Sequence, residues 1–252
     1  MSRRVVVTGL GAICASGRNV PEFWDNLKNG VCGIRTETVA ADDELSITTP
    51  IAPINDWAEI DATLSRDLTR TDKFSKFAAI AADEAVADSG VDFTDELAPR
   101  AAAIIGTGIG GQLALETAYL GMLKRGRRPH PLTILKTIPN AAASHLSIRH
   151  KLRGPAFAVS SACASGAHAI GVCADMIRSG TADIGLAGAS EAVLTYGSLE
   201  AWKAMHIMSD ELCRPFSKNR KGLVIGEGAG IVVLEEYERA NARGAKIYAE
   251  LV

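Results

Sequence analysis

The sequence predicts an α/β protein in which helices cover both faces of one β-sheet. Short runs of aliphatic and β-branched residues alternate along the chain with longer segments whose apolar residues recur at helical spacing. Most of the short runs are apolar throughout, which is typical of strands buried on both faces. The 252 residues are 47% hydrophobic, with 24 glycines and only 5% aromatic residues, so we expect a large core of closely packed small side chains.

The predicted strands are short and end at glycines or polar residues. The first, residues 4–8, is rich in valine and is expected to end at Gly9 and Gly11. The second, residues 101–105, is wholly apolar and runs into a Gly-Thr-Gly turn. Further strands are predicted, in chain order, at residues 156–160, 183–187 and 231–235, with another beginning in the last seven residues, 246–252.

The predicted helices are recognised by apolar residues three and four positions apart. The clearest is 71–89, in which Phe74, Phe77 and Val86 recur at helical spacing and Gly90 provides the stop. Further helices are predicted at residues 21–27, 112–125, 141–151 and 165–178. Two segments are expected to be irregular, a loop-rich insertion at 30–65 that contains Pro50 and Pro53, and the arginine- and proline-rich residues 126–140. No linker, low-complexity run or tandem repeat divides the chain.

Composition and charge exclude several classes of protein. The net charge of −2 argues against a nucleic-acid-binding protein with a global basic field. No stretch approaches the ~18 uninterrupted apolar residues that a membrane span requires, and the start of the chain is typical of a first strand rather than an export signal. An odd number of cysteines without a C-x-x-C pair indicates reduced thiols, so we expect a soluble cytoplasmic protein without a disulfide framework. The cysteines are Cys14, Cys32, Cys163, Cys173 and Cys213.

Cys163 is the candidate nucleophile because it lies between a predicted strand and a predicted helix. Free N–H groups and the helix dipole at a helix N-terminus favour a thiolate. The neighbouring Ala162, Ala164 and Gly166 leave room for a substrate carbonyl, and a backbone N–H there could stabilise its oxyanion. On position alone, the usual role of a free cysteine, that of a small buried apolar residue, stays open for Cys163. The other four cysteines are interpreted as structural, and Cys173 in particular falls inside the helix.

The segment SSACASGAHAIG around Cys163 resembles the nucleophile segment of the elongating condensing enzymes, the β-ketoacyl–acyl carrier protein synthases of fatty acid and polyketide synthesis. Further segments resemble that family in family order and carry the resemblance from about residue 3 to the end. They are RRVVVTGLGAICASG at the start, GTGIGG at 106–111, LRGPAFAVSSAC at 152–163, AGASEA at 187–192, and the stretch from RPFSKNRKGLVIGEGAGIVVLEE onward.

The resemblance implies a thiolase-like layered fold, αβαβα in the full enzyme, of which residues 1–252 form the N-terminal of two duplicated α/β halves. It also implies a decarboxylating Claisen condensation, in which Cys163 takes an acyl group from acyl carrier protein and malonyl–carrier protein then supplies a carbanion. The family's two catalytic histidines belong to its C-terminal half, so we expect condensation to need that half or a companion chain. No bound cofactor is expected, because phosphopantetheine arrives on the carrier protein.

The resemblance also assigns the remaining site residues by position. The acyl tunnel is expected to be lined by Ile109, Thr133, Ile134, Val193, Ser198 and Trp202, with residues 132–134 reaching into the tunnel of a neighbouring subunit. Docking of the acidic carrier protein is assigned to Arg66, Arg70, Arg127 and Arg128, although charge runs are more often simply solvated. Strand 156–160 is expected to pair with its two-fold mate in a homodimer, and the isolated chain is expected to aggregate.

The sequence departs from the family pattern at three positions that bear on substrate choice. Trp202 is bulkier than the usual phenylalanine, Leu223 replaces a phenylalanine and Lys221 replaces an aspartate. The acyl length and the pathway, fatty acid or polyketide, therefore stay open. Two related alternatives also stay open, namely a non-catalytic subunit that only shapes the tunnel and a thiolase-like enzyme that uses coenzyme A.

Two glycine motifs and the histidines offer other kinds of site. Gly106, Gly108 and Gly111 satisfy the dinucleotide pattern G-x-G-x-x-G, but arginines and a lysine stand where a ribose-binding acid is expected, which leaves only an NADP variant. The glycines of residues 226–230 are not followed by the Lys-Ser/Thr of a phosphate loop, so close backbone packing is favoured. The histidines show no metal-binding spacing, and His168 is a poor candidate base because it lies five residues after Cys163 on a helix.

Overall fold

The computed structural model describes residues 3–252, which form a mixed eight-stranded sheet with helices on both faces. Residues 1 and 2 of the predicted domain lie outside this part. The strand order is β2-β3-β7-β6-β4-β5, and β1 pairs with β7 and β8. The strands are β1 Val5–Cys14, β2 Arg35–Ala40, β3 Ser46–Ala52, β4 Ala101–Gly106, β5 Ala156–Val159, β6 Ile184–Ala192, β7 Ile225–Glu236 and β8 Ala249–Leu251.

The helices divide between the two faces of the sheet. They are α1 Val20–Lys28, α2 Trp57–Thr63, α3 Lys73–Ser89, α4 Gln112–Arg125, α5 Thr133–Thr137, α6 Ala141–Arg149, α7 Ser165–Arg178, α8 Tyr196–Ala204 and α9 Tyr237–Ala242. Along β4, Ala103 and Ile105 join the core under α3 and α6, whereas Ala102 and Ile104 join the core under α7. Every residue of β4 is buried, so the prediction of strands that are apolar on both faces is confirmed.

The sheet mixes parallel and antiparallel pairs, and β3 pairs in parallel with β7. β4 runs parallel to both β5 and β6, while β7 runs antiparallel to β6 and to β1. β5 is the outermost strand, and β4 is its one neighbour within residues 3–252. Phe157 on this strand is 36% exposed. The pairing of β5 with a second copy of the chain stays a prediction.

Helix α3 fits the sheet closely because both surfaces carry small residues. Its Asp72 cap accepts a hydrogen bond from the Phe74 amide, and Gly90 ends it in the left-handed conformation at φ 63°. Its alanines face Gly9 and Gly11 of β1, and a Cβ at Gly11 would lie 1.8 Å from the Ala81 carbonyl oxygen. These two glycines therefore allow a close approach within a strand, and the prediction that β1 ends at them was wrong.

The segment 30–65 is not the loop-rich insertion that was predicted. It contains a hairpin of β2 and β3, in register from Arg35 opposite Ile51 to Ala40 opposite Ser46, followed by α2. Alternate residues of β2 are exposed, so this strand lacks the apolar run that revealed the others. The segment 126–140 likewise holds the short helix α5, and Arg70 ends a 3-10 turn, Leu68–Arg70, just before α3.

No helix in the described part of the chain is both long and apolar enough to cross a membrane.

Candidate active site

Cys163 lies in a tight turn between β5 and α7, as its sequence position predicts. Ala162, immediately before it, adopts the left-handed conformation with φ 52°, which is unfavourable for a residue with a side chain. The Ser165 amide donates to the Ala162 carbonyl, and α7 begins at Ser165. The turn presents Cys163 as an exposed side chain at the positive end of a 14-residue helix.

Three polar side chains hold this turn. The buried Ser165 hydroxyl donates to the Ala162 carbonyl at 2.6 Å and accepts from the Ser161 amide at 2.8 Å. The Ser161 hydroxyl also forms a hydrogen bond with Nδ1 of His168 at 2.6 Å. Because strained conformations persist where the surroundings fix them, this network explains how Ala162 keeps a positive φ. His168 therefore contacts the turn that carries the thiol, at Ser161, two residues before Cys163.

A cavity of about 540 Å³ opens in front of the thiol. It brings Cys163 together with three of the predicted tunnel residues, Ile109, Val193 and Trp202, and with Ala162 and Gly166. Its other walls come from the ends of β1, β6 and β7, where Cys14, Ala189, Ser190 and the glycines of 228–230 lie. The volume is within the range of small-molecule sites.

The other predicted tunnel residues lie elsewhere. Ser198 is buried on α8 and does not line this cavity. Ile134 on α5 is 69% exposed, and Thr133 lines a different cavity. Their proposed contribution to a neighbouring subunit stays a prediction.

The remaining cysteines occupy different surroundings, although all were interpreted alike. Cys173 is buried on α7, where burial raises the pKa of its thiol to about 12. Cys14 is half-buried and lines the same cavity as Cys163, which its sequence position did not reveal. Cys32 and Cys213 are exposed rather than buried. Within residues 3–252, no group of three histidine, cysteine, aspartate or glutamate side chains could hold a metal ion.

Glu191 is a cavity residue that the sequence analysis missed. It lies on β6, and its carboxylate accepts hydrogen bonds from the Gly108 amide at 2.6 Å and from the Thr107 hydroxyl at 3.1 Å. Burial raises the pKa of the Glu191 carboxyl, and these two donors act in the opposite direction. Glu191 belongs to the AGASEA segment that carries part of the family resemblance. Its link to the site depends on the long-range contact with residues 107–108, which the sequence does not reveal.

The predicted docking arginines lie around a second, basic cavity. Arg127 and Arg128 line about 450 Å³ together with Arg125, Lys76 and Lys136. Arg70 lines an adjoining cavity that shares Thr71 and Asp72 with the first, and Arg66 is exposed nearby in the chain. Lys124, in the last turn of α4, is instead ion-paired with Asp42 at 2.9 Å and with Glu44 at 3.0 Å.

Comparison with known proteins places these features in one family. The family model described as "Beta-ketoacyl synthase, N-terminal domain" matches residues 2–240. Nodulation protein E of Rhizobium sp. (strain N33) is 42% identical over 253 residues, covering 100% of this chain and 62% of the relative. The 3-oxoacyl-[acyl-carrier-protein] synthase 2 of Vibrio cholerae is 40% identical over 258 residues, covering 99% of this chain and 62% of the relative.

A solved structure agrees with the sequence relatives. A ketosynthase bound to a hexaketide, in complex with its type II polyketide synthase acyl-carrier protein, superposes with a TM-score of 0.82 at 32% identity. The match covers 100% of this chain and 62% of that chain. The chain thus spans 62% of the length of these relatives.

Proposed function

The chain belongs to the β-ketoacyl synthase family, and we propose that it provides the acyl-loading half of a 3-oxoacyl-[acyl carrier protein] synthase, with Cys163 as the acyl acceptor. The observation that carries this proposal is the exposed thiol at the start of α7, facing a cavity large enough for an acyl chain. The ketosynthase relatives support the same chemistry.

In the loading step, the Cys163 sulfur attacks the thioester carbonyl of an acyl–carrier protein. A new carbon–sulfur bond forms to Cys163, the bond to the phosphopantetheine sulfur breaks, and the released thiol takes up a proton. In the condensing step, malonyl–carrier protein loses carbon dioxide, and its carbanion attacks the acyl-cysteine and frees the Cys163 thiolate. The product is a β-ketoacyl–carrier protein.

The condensing step calls for groups beyond those in the cavity. Stabilising an enolate requires proton donors or cations close to the malonyl thioester. In the described part of the chain, no histidine, lysine or arginine lines the Cys163 cavity. We therefore propose that a C-terminal half or companion chain with the family's two histidines completes the reaction.

The glycines of 106–111 are better explained by packing than by a dinucleotide. A Cβ at Gly106 would lie 2.5 Å from the Ser165 carbonyl, and one at Gly111 would lie 2.0 Å from the Lys136 carbonyl. The Gly108 amide is already bonded to the Glu191 carboxylate, whose charge would also repel a pyrophosphate. These contacts favour an enzyme without a bound cofactor, in which phosphopantetheine enters on the carrier protein.

Intact-mass spectrometry tests the proposed function directly. After incubation with octanoyl–carrier protein, we expect the chain to gain the mass of one octanoyl group, because the exposed thiol exchanges with the thioester. Neutral hydroxylamine should remove that mass, since it cleaves thioesters and not amides. A chain that gains no acyl mass, while iodoacetamide still alkylates Cys163, would contradict the proposal and favour a non-catalytic subunit.

We further propose that the basic cavity and its neighbouring arginines receive the acidic carrier protein. Arg127 and Arg128 are exposed, and neither has an ion-pair partner within 4.0 Å among residues 3–252, so both charges are open to an anionic partner. Lys124 is less suited because Asp42 and Glu44 already neutralise it. Arg66 and Arg70 extend the positive surface on the adjoining turn.

Charge reversal at this surface should weaken carrier binding. We expect Arg127→Glu or Arg128→Glu to raise the Kd for acyl carrier protein by about three- to tenfold at low ionic strength, because an attraction becomes a repulsion. The effect should shrink in concentrated salt, which screens exposed charges. Surface plasmon resonance at two salt concentrations measures both changes.

Lys218→Glu is the matched control, because Lys218 is also exposed, has no ion-pair partner within 4.0 Å among residues 3–252, and lines neither the basic cavity nor the adjoining one. It should leave the Kd within experimental error of the parent value. An unchanged Kd at low salt for both arginine variants would exclude this surface as the docking site.

A further inference from the structure

A carboxylate in a largely apolar cavity needs a physical reason. Glu191 is half-buried and lines the same cavity as Cys163. No lysine, arginine or histidine within residues 3–252 lies close enough to form an ion pair with it. Withdrawing a charge from water without a counter-charge is unfavourable unless hydrogen bonds replace the lost solvation. Those hydrogen bonds all lead to one segment, residues 106–111, which we call the glycine loop.

The Glu191 carboxylate fixes the first half of the glycine loop. One oxygen accepts from the Gly108 amide at 2.6 Å, and the other accepts from the Thr107 hydroxyl at 3.1 Å. The same hydroxyl accepts from the Gly110 amide at 3.0 Å. Thr107 is 1% exposed, so water cannot easily replace these bonds. Three positions of the loop therefore depend, directly or through Thr107, on one side chain of β6.

The ends of the loop are held independently of Glu191. Gly106 packs against the backbone of Ser165 and Gly111 against the backbone of Lys136, each too close to admit a Cβ. Beyond the loop, the buried Asp72 accepts from the Ala114 amide at 2.8 Å in the first turn of α4. The centre of the loop is held by the Glu191 network and by one longer hydrogen bond, from the Ser160 hydroxyl to the Gly108 carbonyl at 3.3 Å.

Ile109 occupies that centre and is the part of the loop that reaches the cavity. Its side chain is 45% exposed and lines the cavity together with Cys163. It follows Gly108 directly, so a shift of the Gly108 amide moves Ile109 with it. The distance available to an acyl chain between Ile109 and the thiol thus depends on the bond between Glu191 and Gly108.

We propose that Glu191 is a positioning residue that holds Ile109 in the wall of the acyl cavity and so sets which acyl chains Cys163 accepts. This inference rests on the proposed acyl-loading function. Glu191 does not react with the substrate in this role. Its two carboxylate oxygens provide the acceptors that the loop needs, whereas a glutamine would offer one acceptor and present an N–H₂ group to the second donor.

The test compares Glu191→Gln with Glu236→Gln, each in the full chain. The control carboxylate is also buried and accepts from a backbone amide, that of Arg239 at 2.8 Å, but it lies at the start of α9 outside the cavity. Loading of Cys163 is measured with butanoyl–, octanoyl– and dodecanoyl–carrier protein. Iodoacetamide alkylation of the Cys163 peptide is measured in parallel. This small reagent reports the reactivity of the thiol and does not need the cavity wall formed by Ile109.

We expect Glu191→Gln to flatten the chain-length profile. The ratio of the loading rates for the best and the worst of the three acyl chains should fall by about tenfold. A change of that size corresponds to the loss of one charged hydrogen bond. Alkylation should stay at the parent rate, and Glu236→Gln should keep the parent profile. Ile109→Ala, which removes the same wall without altering the carboxylate, should flatten the profile in the same direction.

The outcomes separate the inference from the function on which it rests. If the parent is loaded and either Glu191→Gln or Ile109→Ala keeps its chain-length profile, the positioning role is overturned alone. If alkylation falls as far as acyl loading, Glu191 acts on the thiol or its turn, and the positioning role is again overturned. If the parent accepts no acyl group at all, the proposed function fails and the inference fails with it.

Discussion

Replacing Cys163 by alanine is expected to abolish covalent acyl loading, with a loss of at least about a thousandfold in rate, as is usual when a catalytic nucleophile is removed. Of the three exposed thiols within residues 3–252, Cys163 is the one that lines the cavity, and it stands at the N-terminal end of α7. Loss of the sulfur removes the acceptor atom and leaves the cavity unchanged. Intact-mass spectrometry after incubation with acyl–carrier protein measures the loss.

Cys14→Ala provides a demanding control for this result. Cys14 lines the same cavity but is half-buried, and it is the last residue of β1 rather than a residue at the start of a helix. We expect this variant to be loaded at the parent rate. A cerulenin-type electrophile should likewise label the parent and the Cys14 variant but not Cys163→Ala. Equal labelling of the Cys163 variant would assign the chemistry to another residue.

Gly11→Ala is expected to lower the free energy of unfolding by at least about 3 kcal/mol, or to prevent accumulation of soluble protein. The added Cβ would lie 1.8 Å from the Ala81 carbonyl oxygen and 2.8 Å from the Ala85 amide nitrogen. Both are backbone atoms of α3, so a side-chain rotation cannot relieve the overlap. Either the helix or the strand must move, which separates two buried surfaces. Urea denaturation followed by circular dichroism measures the change.

Gly171→Ala is the matched substitution at a permissive position. Gly171 lies within α7, has no atom within 4 Å of an added Cβ, and does not adopt a positive φ. Alanine should therefore stabilise the helix by about 0.5–1 kcal/mol, through the lower entropy of the unfolded chain. Equal midpoints for the Gly11 variant and the parent would contradict the close approach of β1 and α3.

The parts of the fold with a strong local pattern could be predicted from the sequence. Helices α4 and α7 begin and end where the sequence predicts. In each, apolar residues recur at helical spacing over a long segment, and glycine or serine stands at the ends of that segment. The hairpin of β2 and β3 was missed because β2 is mostly polar with alternate residues exposed, and because Pro50, which usually signals a loop, lies within β3. The continuation of β1 was missed because glycine usually signals a turn, whereas here it admits a neighbouring helix.

The site follows the same division between local and long-range information. The position of Cys163 between a strand and a helix could be predicted from the sequence, and its role as nucleophile stays a prediction. Glu191 could not be identified, because its partner Gly108 is 83 residues away in the sequence and only the pairing of β6 with β4 brings them together. The separation of Ser198 from the cavity also depends on how α8 packs, which no local pattern records.

The position of β5 has a consequence for how this protein responds to its surroundings. The strand is four residues long and outermost, and Cys163 follows its last residue by four positions. Outer strands open more readily than inner ones. The candidate nucleophile therefore follows the outer edge of the sheet by only a few residues. If a second copy of the chain pairs with β5, we expect the reactivity of Cys163 to change with the state of association, so the two should be measured together.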